Sequence, residues 1–248
     1  MIDLQKKADE IRADVIRVAV KNNKGHIAPS LSTVEILTAL YYEIMGEEDR
    51  FILSKGHGCY ALYAILVDKG LIPKKVWENF ELTGCVTRQP EYGLLASTGS
   101  LGQGLSMACG IAYAKKLTKA VGNVYCLLGD GELEEGQVWE ALLFAEEKKL
   151  DNLYILVDSN KLRAMDKNKL CNQAIRSRLN GFNFEVMSCD GHDIDDILFT
   201  LNYLLKDKHR GFPKFIICNT VKGKGLKCAE NVAKFHYRVP SQEELNES

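Results

Sequence analysis

The chain reads as an α/β protein, a parallel sheet with helices on both faces. Three observations predict it. Short apolar runs recur in the second half, at Val124–Leu128, Leu153–Val157, Phe184–Met187 and Phe215–Cys218. Helical stretches separate them, and strands alternating with helices favour a parallel sheet covered on both sides. The first half, by contrast, carries apolar residues at helical spacing.

Taken in order, residues 5–21 place Ala8, Ile11, Val15, Ile16 and Val18 on a 3.6-residue period, which predicts a helix. Ser32-Thr33-Val34-Glu35 has the spacing of a capping box and predicts a helix running towards Met45. His57 to Asp68 reads as a further helix, with Gly70 as its stop. Gly99 to Gly104 is a glycine-dense turn before a helix, and Ala108, Cys109 and Gly110 are small enough for that helix to approach the sheet. Gly136 to Leu150 is helical, with Val138, Leu142, Ala145 and Leu150 towards one side. Repeats, low-complexity tracts and linkers are missing, so residues 1–248 read as one domain.

Composition excludes several classes of function. A formal net charge of −1 leaves no basic footprint for nucleic acid, and no aromatic residues interleave with a basic run. No apolar stretch approaches the roughly 18 to 20 residues of a membrane span. The segment beginning at Met1 lacks the pattern of a signal peptide. Eight cysteines are scattered without a CxxC pair, and several sit inside apolar runs as small hydrophobes, which points to the cytoplasm.

In a parallel sheet, ligands bind beyond the carboxyl ends of the strands. Two loops stand there, Gly129-Asp130-Gly131 and Ser159-Asn160-Lys161. Flanking glycines let the backbone approach a ligand, and the free N–H groups of the helix that follows suit an anion such as a diphosphate. A carboxylate beside a diphosphate implies a bridging Mg²⁺, or Ca²⁺, held by Asp130, the amide oxygen of Asn160 and the carbonyl of Leu162. Each loop alone is an ordinary turn; the pair on consecutive strands is the informative signal. His26 and His57 each follow a glycine, and His236 comes late. Singly they read as surface or capping groups, and together as a polar cluster able to bind sugar hydroxyls. Glu135 and Glu140 follow the Asp130 loop, where acidic residues also favour the first turn of any helix. His192 reads as part of a capping turn and His209 as surface. The glycine-dense segment lacks the GxGxxG order of a dinucleotide site.

Gly129-Asp130-Gly131 followed by Asn160 resembles the signature of thiamine-diphosphate enzymes. The match narrows with Lys24-Gly25-His26-Ile27, with Phe51-Ile52-Leu53-Ser54-Lys55-Gly56-His57 and with Ser97-Thr98-Gly99-Ser100-Leu101-Gly102-Gln103-Gly104. Residues Gly129 to Ala141, Thr220 to Gly225 and His236-Tyr237-Arg238-Val239-Pro240 complete it. In this order the segments are similar to the N-terminal subunit of a two-gene transketolase. That resemblance implies thiamine diphosphate held by His57, Gly99, Ser100, Leu101, Gly129, Asp130, Gly131, Glu132, Asn160 and His236. It implies two-carbon ketol transfer from a ketose or its phosphate to an aldose, with His26, His57, His236, Gln89 and Glu135 at the reacting end. It further implies a separate C-terminal subunit bringing the glutamate that activates the aminopyrimidine, an α₂β₂ assembly, and Glu135 and Glu140 near a subunit contact.

The chain departs from that pattern at named positions. Gln89 stands where a third histidine is expected, in Thr87-Arg88-Gln89-Pro90. Arg163-Ala164-Met165-Asp166 replaces the usual segment after Asn160, and Lys227-Cys228-Ala229-Glu230 replaces a Met-Glu segment. Gln donates a hydrogen bond but does not exchange a proton usefully, so these changes point to an altered sugar. Two rival readings follow: a pyruvate-using synthase of 1-deoxy sugars, and a non-catalytic subunit that binds a partner.

Overall fold

A computed structural model describes residues 2–163, 166, 171–206 and 211–247. In chain order the described elements are α1 (Leu4–Lys21), α2 (Ile27–Leu31), α3 (Val34–Ala39), β1 (Arg50–Leu53), α4 (Cys59–Asp68), α5 (Lys74–Glu78), α6 (Gln103–Thr118), β2 (Val124–Gly129), α7 (Gly136–Glu147), β3 (Leu153–Ser159), α8 (Asn172–Leu179), β4 (Glu185–Asp190), α9 (Ile194–Lys206), β5 (Lys214–Asn219) and α10 (Gln242–Asn246).

The five strands pair in the order β1-β2-β3-β5-β4, every pair parallel. Period-two alternation divides the strand side chains between two apolar layers. Tyr125, Leu127, Tyr154, Leu156, Ile216 and Cys218 face one core, covered by α1, α3, α4 and α9. Cys126, Leu128, Ile155, Val157, Phe215 and Ile217 face the other, covered by α6, α7 and α8. The sheet is therefore covered on both faces, as the sequence predicts, and its strands apart from the edge strand β4 are nearly continuous apolar runs.

Local chemistry explains the element ends. Asp3 caps α1, accepting from the N–H of Lys6 at 3.0 Å. After α4, Gly70 takes φ +75°, a backbone open to glycine and costly for other residues. At the start of α6, Gly104 lies so close to β1 that a Cβ would stand 2.6 Å from the Cα of Ser54. Gly110, expected on the sheet side, faces solvent, while Ala108 and Cys109 are buried.

Several expectations are corrected. The capping box at Ser32–Glu35 does not form: Thr33 precedes α3 without a side-chain cap. The Ser32 hydroxyl instead donates to Asp158 at 2.7 Å, and the buried Glu35 carboxylate pairs with Arg12 and His192. Tertiary partners displace the local cap. The same helix ends at Ala39 and continues as a π turn over Leu40–Ile44. Helix α4 starts at Cys59, after a 3₁₀ turn over Gly56–Gly58. Strand β1 was not anticipated, because four residues show too little periodicity. Among the described residues, no helix is long and apolar enough to cross a membrane.

Candidate active site

The carboxyl ends of β1, β2 and β3 open into a cleft of about 440 Å³. Register places Gly129 beside Asp158, so the next residue of β2 and the loop after β3 are neighbours. The N–H of Asp130 donates to the carbonyl of Asp158 at 3.2 Å. The Asp130 carboxylate accepts from the N–H of Lys161 at 2.6 Å and from that of Gly131 at 2.8 Å. Asn160 turns its Nδ2 to Asp158 at 3.0 Å, while its Oδ1 accepts from the N–H of Leu162 at 3.0 Å. These bonds orient a carboxylate and an amide oxygen at one sheet edge. Asp130, Asn160 and Leu162 all line the cleft.

Beneath them lies a buried ion pair. Lys55 (1% exposed) donates to Asp158 (0%) and to the carbonyl of Pro29 at 2.9 Å. Thr220 and Ser32 also donate to Asp158. Burial raises the Asp158 carboxyl, but Lys55 and the hydroxyls overcome that and hold it below the usual range. Asp158 thus gathers α2, β1, β3 and the loop after β5 around one charge.

Lys222 is a second buried cation in the lining, 2% exposed. Its Nζ donates to the carbonyl of Arg163 and to Nδ1 of His236, each at 2.9 Å. Burial, followed by the repulsion of Lys55, brings Lys222 down to about 8.

Three histidines meet at the other end. Ring centroids lie 5.9 Å apart for His26 and His57, 5.5 Å for His26 and His236, and 5.0 Å for His57 and His236. All three line the cleft. His26 adopts a left-handed backbone, φ +63°, which costs a non-glycine residue about 1 kcal/mol. Burial lowers each ring below the ordinary histidine range, with His236 reaching about 3, so all are neutral at pH 7. The tautomers follow from the partners. A carbonyl only accepts, so Nδ1–H of His26 donates to Gly84 at 3.0 Å, leaving Nε2 as an acceptor. An ammonium only donates, so His236 Nδ1 accepts from Lys222 and its Nε2 carries the hydrogen.

The glycine-rich loop closes one side through Gly99 and Leu101. Glu132 is its tie: the buried carboxylate accepts from the N–H of Gly102 at 2.7 Å, from that of Gly129 at 3.2 Å, and from Ser54 Oγ. Burial raises the Glu132 carboxyl above its usual value, against the pull of these donors.

The structure brings together His26, His57, His236, Gly99, Leu101, Gly129, Asp130, Gly131, Glu132, Glu135, Asn160 and Leu162. Ser100 and Gln89 are not in the lining; Ser100 Oγ accepts from Gln103 at 3.3 Å. His192 belongs to a different region, where its ring bridges Glu35 and the N–H of Val221, and Asp193 does the capping of α9. Ala164, Met165 and His209 lie outside the described residues. Lys55, Lys222, Cys85, Glu134 and Arg163 also line the cleft and were missed as site residues. Two lysines inside apolar or glycine-rich segments were the available signal, since an unpartnered lysine is seldom buried.

A parallel sheet carrying an anion-suited, oxygen-rich cleft at its carboxyl edge defines a diphosphate-binding module. Residues 4–247 match the family model described as transketolase, thiamine diphosphate binding domain. The chain is 34% identical to an apulose-4-phosphate transketolase subunit of Phocaeicola vulgatus, covering 99% of this chain and 92% of that one. It is 36% identical to the 6-deoxy-6-sulfo-D-fructose transketolase subunit of a Clostridium species, over 95% and 90%. Among solved structures it superposes on the Campylobacter jejuni transketolase with TM-score 0.87 and 30% identity, covering 97% of this chain and 41% of that longer one. The chain belongs to the transketolase family of transferases, and in extent and sequence it corresponds to the relatives named as subunits.

Proposed function

We propose that this cleft holds thiamine diphosphate with Mg²⁺ or Ca²⁺. Joined to a C-terminal, pyrimidine-binding subunit in a cytoplasmic α₂β₂ assembly, the chain transfers a two-carbon ketol unit from a ketose or ketose phosphate to an aldose. The observation that carries this is the placement of Asp130 and Asn160 side by side in a cleft whose lining also holds the buried cation Lys222.

The donor set fits the group. One carboxylate, one amide oxygen and the Leu162 carbonyl are hard oxygens suited to Mg²⁺ or Ca²⁺, with the remaining positions left to phosphate and water. No group of three His, Cys, Asp or Glu placed to hold a metal ion by itself is found among the described residues. Asp158 and Asp130 act on Lys222 only at longer range and do not offset its burial, so an anion bound in the cleft would add favourable charge beside it. When bound, thiamine diphosphate supplies the electron sink for breaking and re-forming a carbon–carbon bond.

The chain's own residues bind, orient and exclude water. Gly99, Leu101, Gly129, Gly131 and Glu132 shape the cofactor wall, Glu132 by holding Gly102 in place. His236 offers Nε2–H to a ketose oxygen and His26 offers the Nε2 lone pair to a hydroxyl, so the two present opposite polarities. The Nδ1 lone pair of His236 is taken by Lys222, so towards the substrate the ring acts as a hydrogen-bond donor and not as a base. His57 has ring contacts with both and faces the same space. Glu135 stands at the cleft rim, where a second subunit would close it.

The test is an assay of the chain assembled with a transketolase-type C-terminal subunit. Ketose phosphate plus aldose is expected to give ketol transfer dependent on thiamine diphosphate and divalent metal. Turnover of pyruvate instead would establish the synthase reading, and tight assembly without turnover of either would leave a binding subunit.

A further inference from the structure

The wall beside His26 is not formed by the residue that the sequence pattern suggests. Gln89 pairs with Leu94 through its backbone, donating at 2.9 Å and accepting at 3.1 Å, and lies outside the cleft lining. Cys85 is in the lining. Its position is closely held. The preceding carbonyl, that of Gly84, accepts from His26 Nδ1 at 3.0 Å. The Cys85 carbonyl accepts from the Tyr63 hydroxyl at 3.1 Å and from the Thr83 hydroxyl. On its far side, a Cβ added at Gly99 would stand 3.1 Å from both Cβ and Sγ of Cys85. The side chain is half-buried between the histidine cluster and the glycine-rich loop.

We propose that Cys85, and not Gln89, is the specificity-determining residue on the substrate side of this cleft. It favours a ketose whose group at that wall is a hydrogen or a branch carbon. This rests on the ketol-transfer reading above. A thiol is shorter than an imidazole or a carboxamide and is a weak hydrogen-bond donor. Burial pushes this one up, so it stays uncharged at neutral pH. A substrate hydroxyl turned towards Cys85 would lose its hydrogen bonds to water and regain little, whereas an apolar group loses nothing. Polar recognition is left to His26 and His236, whose free Nε2 atoms have opposite polarity.

The test compares kcat/KM for an unbranched ketose phosphate and for its branched or deoxy counterpart in the assembled complex. Cys85→His and Cys85→Ser are expected to shift the ratio about tenfold or more towards the unbranched donor, and Gln89→Ala to leave it within about twofold. In the wild-type complex, saturating donor should slow alkylation of Cys85 by iodoacetamide at least about fivefold, read by mass spectrometry, a measurement that does not depend on the variants folding. Ratios unmoved by both Cys85 variants, an equal shift from Gln89→Ala, or alkylation indifferent to donor overturns the proposal. A wild-type complex without ketol transfer from any ketose phosphate sinks the function and this proposal together. An active wild type with unshifted ratios sinks the proposal alone.

Discussion

Lys222 donates from Nζ to Nδ1 of His236 at 2.9 Å, coupling the cation of the cofactor end to the histidines of the substrate end. Replacing Lys222 by Met removes both the hydrogen bond and a positive charge beside the ring. The His236 pKa should then rise from about 3 towards its ordinary value, without reaching it, because burial is the larger cause and remains. Imidazole NMR titration of wild type and variant measures this directly. An unmoved His236 would mean that the contact has no electrostatic consequence.

The same lysine makes cofactor binding depend on pH. Lys222 titrates at about 8 in the free cleft, and an anion beside it must raise that value. Binding therefore takes up a proton above pH 8. Affinity for thiamine diphosphate with Mg²⁺ should be flat below pH 8 and fall above it, by up to about tenfold per pH unit. Lys222→Met should bind more weakly throughout and lose this alkaline slope. Calorimetric titration of the assembled complex between pH 7 and 9.5 checks both statements; a slope that survives in the variant would assign it to another group.

Breaking the Lys55–Asp158 pair leaves a carboxylate buried with hydroxyl and amide donors but no counter-charge. Lys55→Met should lower unfolding free energy by about 3–5 kcal/mol, measured by urea denaturation. Lys55→Met combined with Asp158→Asn should recover part of the loss. Equal destabilisation by the single and double variants would show that packing, and not charge, sets the cost.

Glu132→Ala should free the N–H groups of Gly102 and Gly129 together with the Ser54 hydroxyl. A cost of about 1–3 kcal/mol is expected, with faster amide exchange concentrated in residues 99–104. Exchange rising evenly over the whole chain would point to general destabilisation instead.

Much of this architecture was legible from residues 124 to 219, because buried parallel strands write their burial into continuous apolar runs such as Val124–Leu128. The Asp130 and Asn160 loops were legible for the same reason, being fixed to strand ends. What stayed hidden depends on partners distant in the chain. Lys55 meets Asp158 across 103 positions, and no local pattern announces such a pair. Glu35 had the spacing of a cap, yet a buried arginine and histidine claimed it. Gln89 and Cys85 lie four positions apart in one loop, and no local pattern tells which of them lines the cleft.

In the proposed function, Asp130 and Asn160 hold a divalent metal and, through it, a diphosphate. The most direct measurement is thiamine diphosphate affinity of the assembled complex, with Mg²⁺ and with chelator, for wild type and Asp130→Ala. Metal-dependent binding is expected in the wild type, weakened by a factor on the order of 100 or more in Asp130→Ala and no longer responsive to Mg²⁺. Binding of equal strength with and without metal, or undiminished in Asp130→Ala, would contradict it.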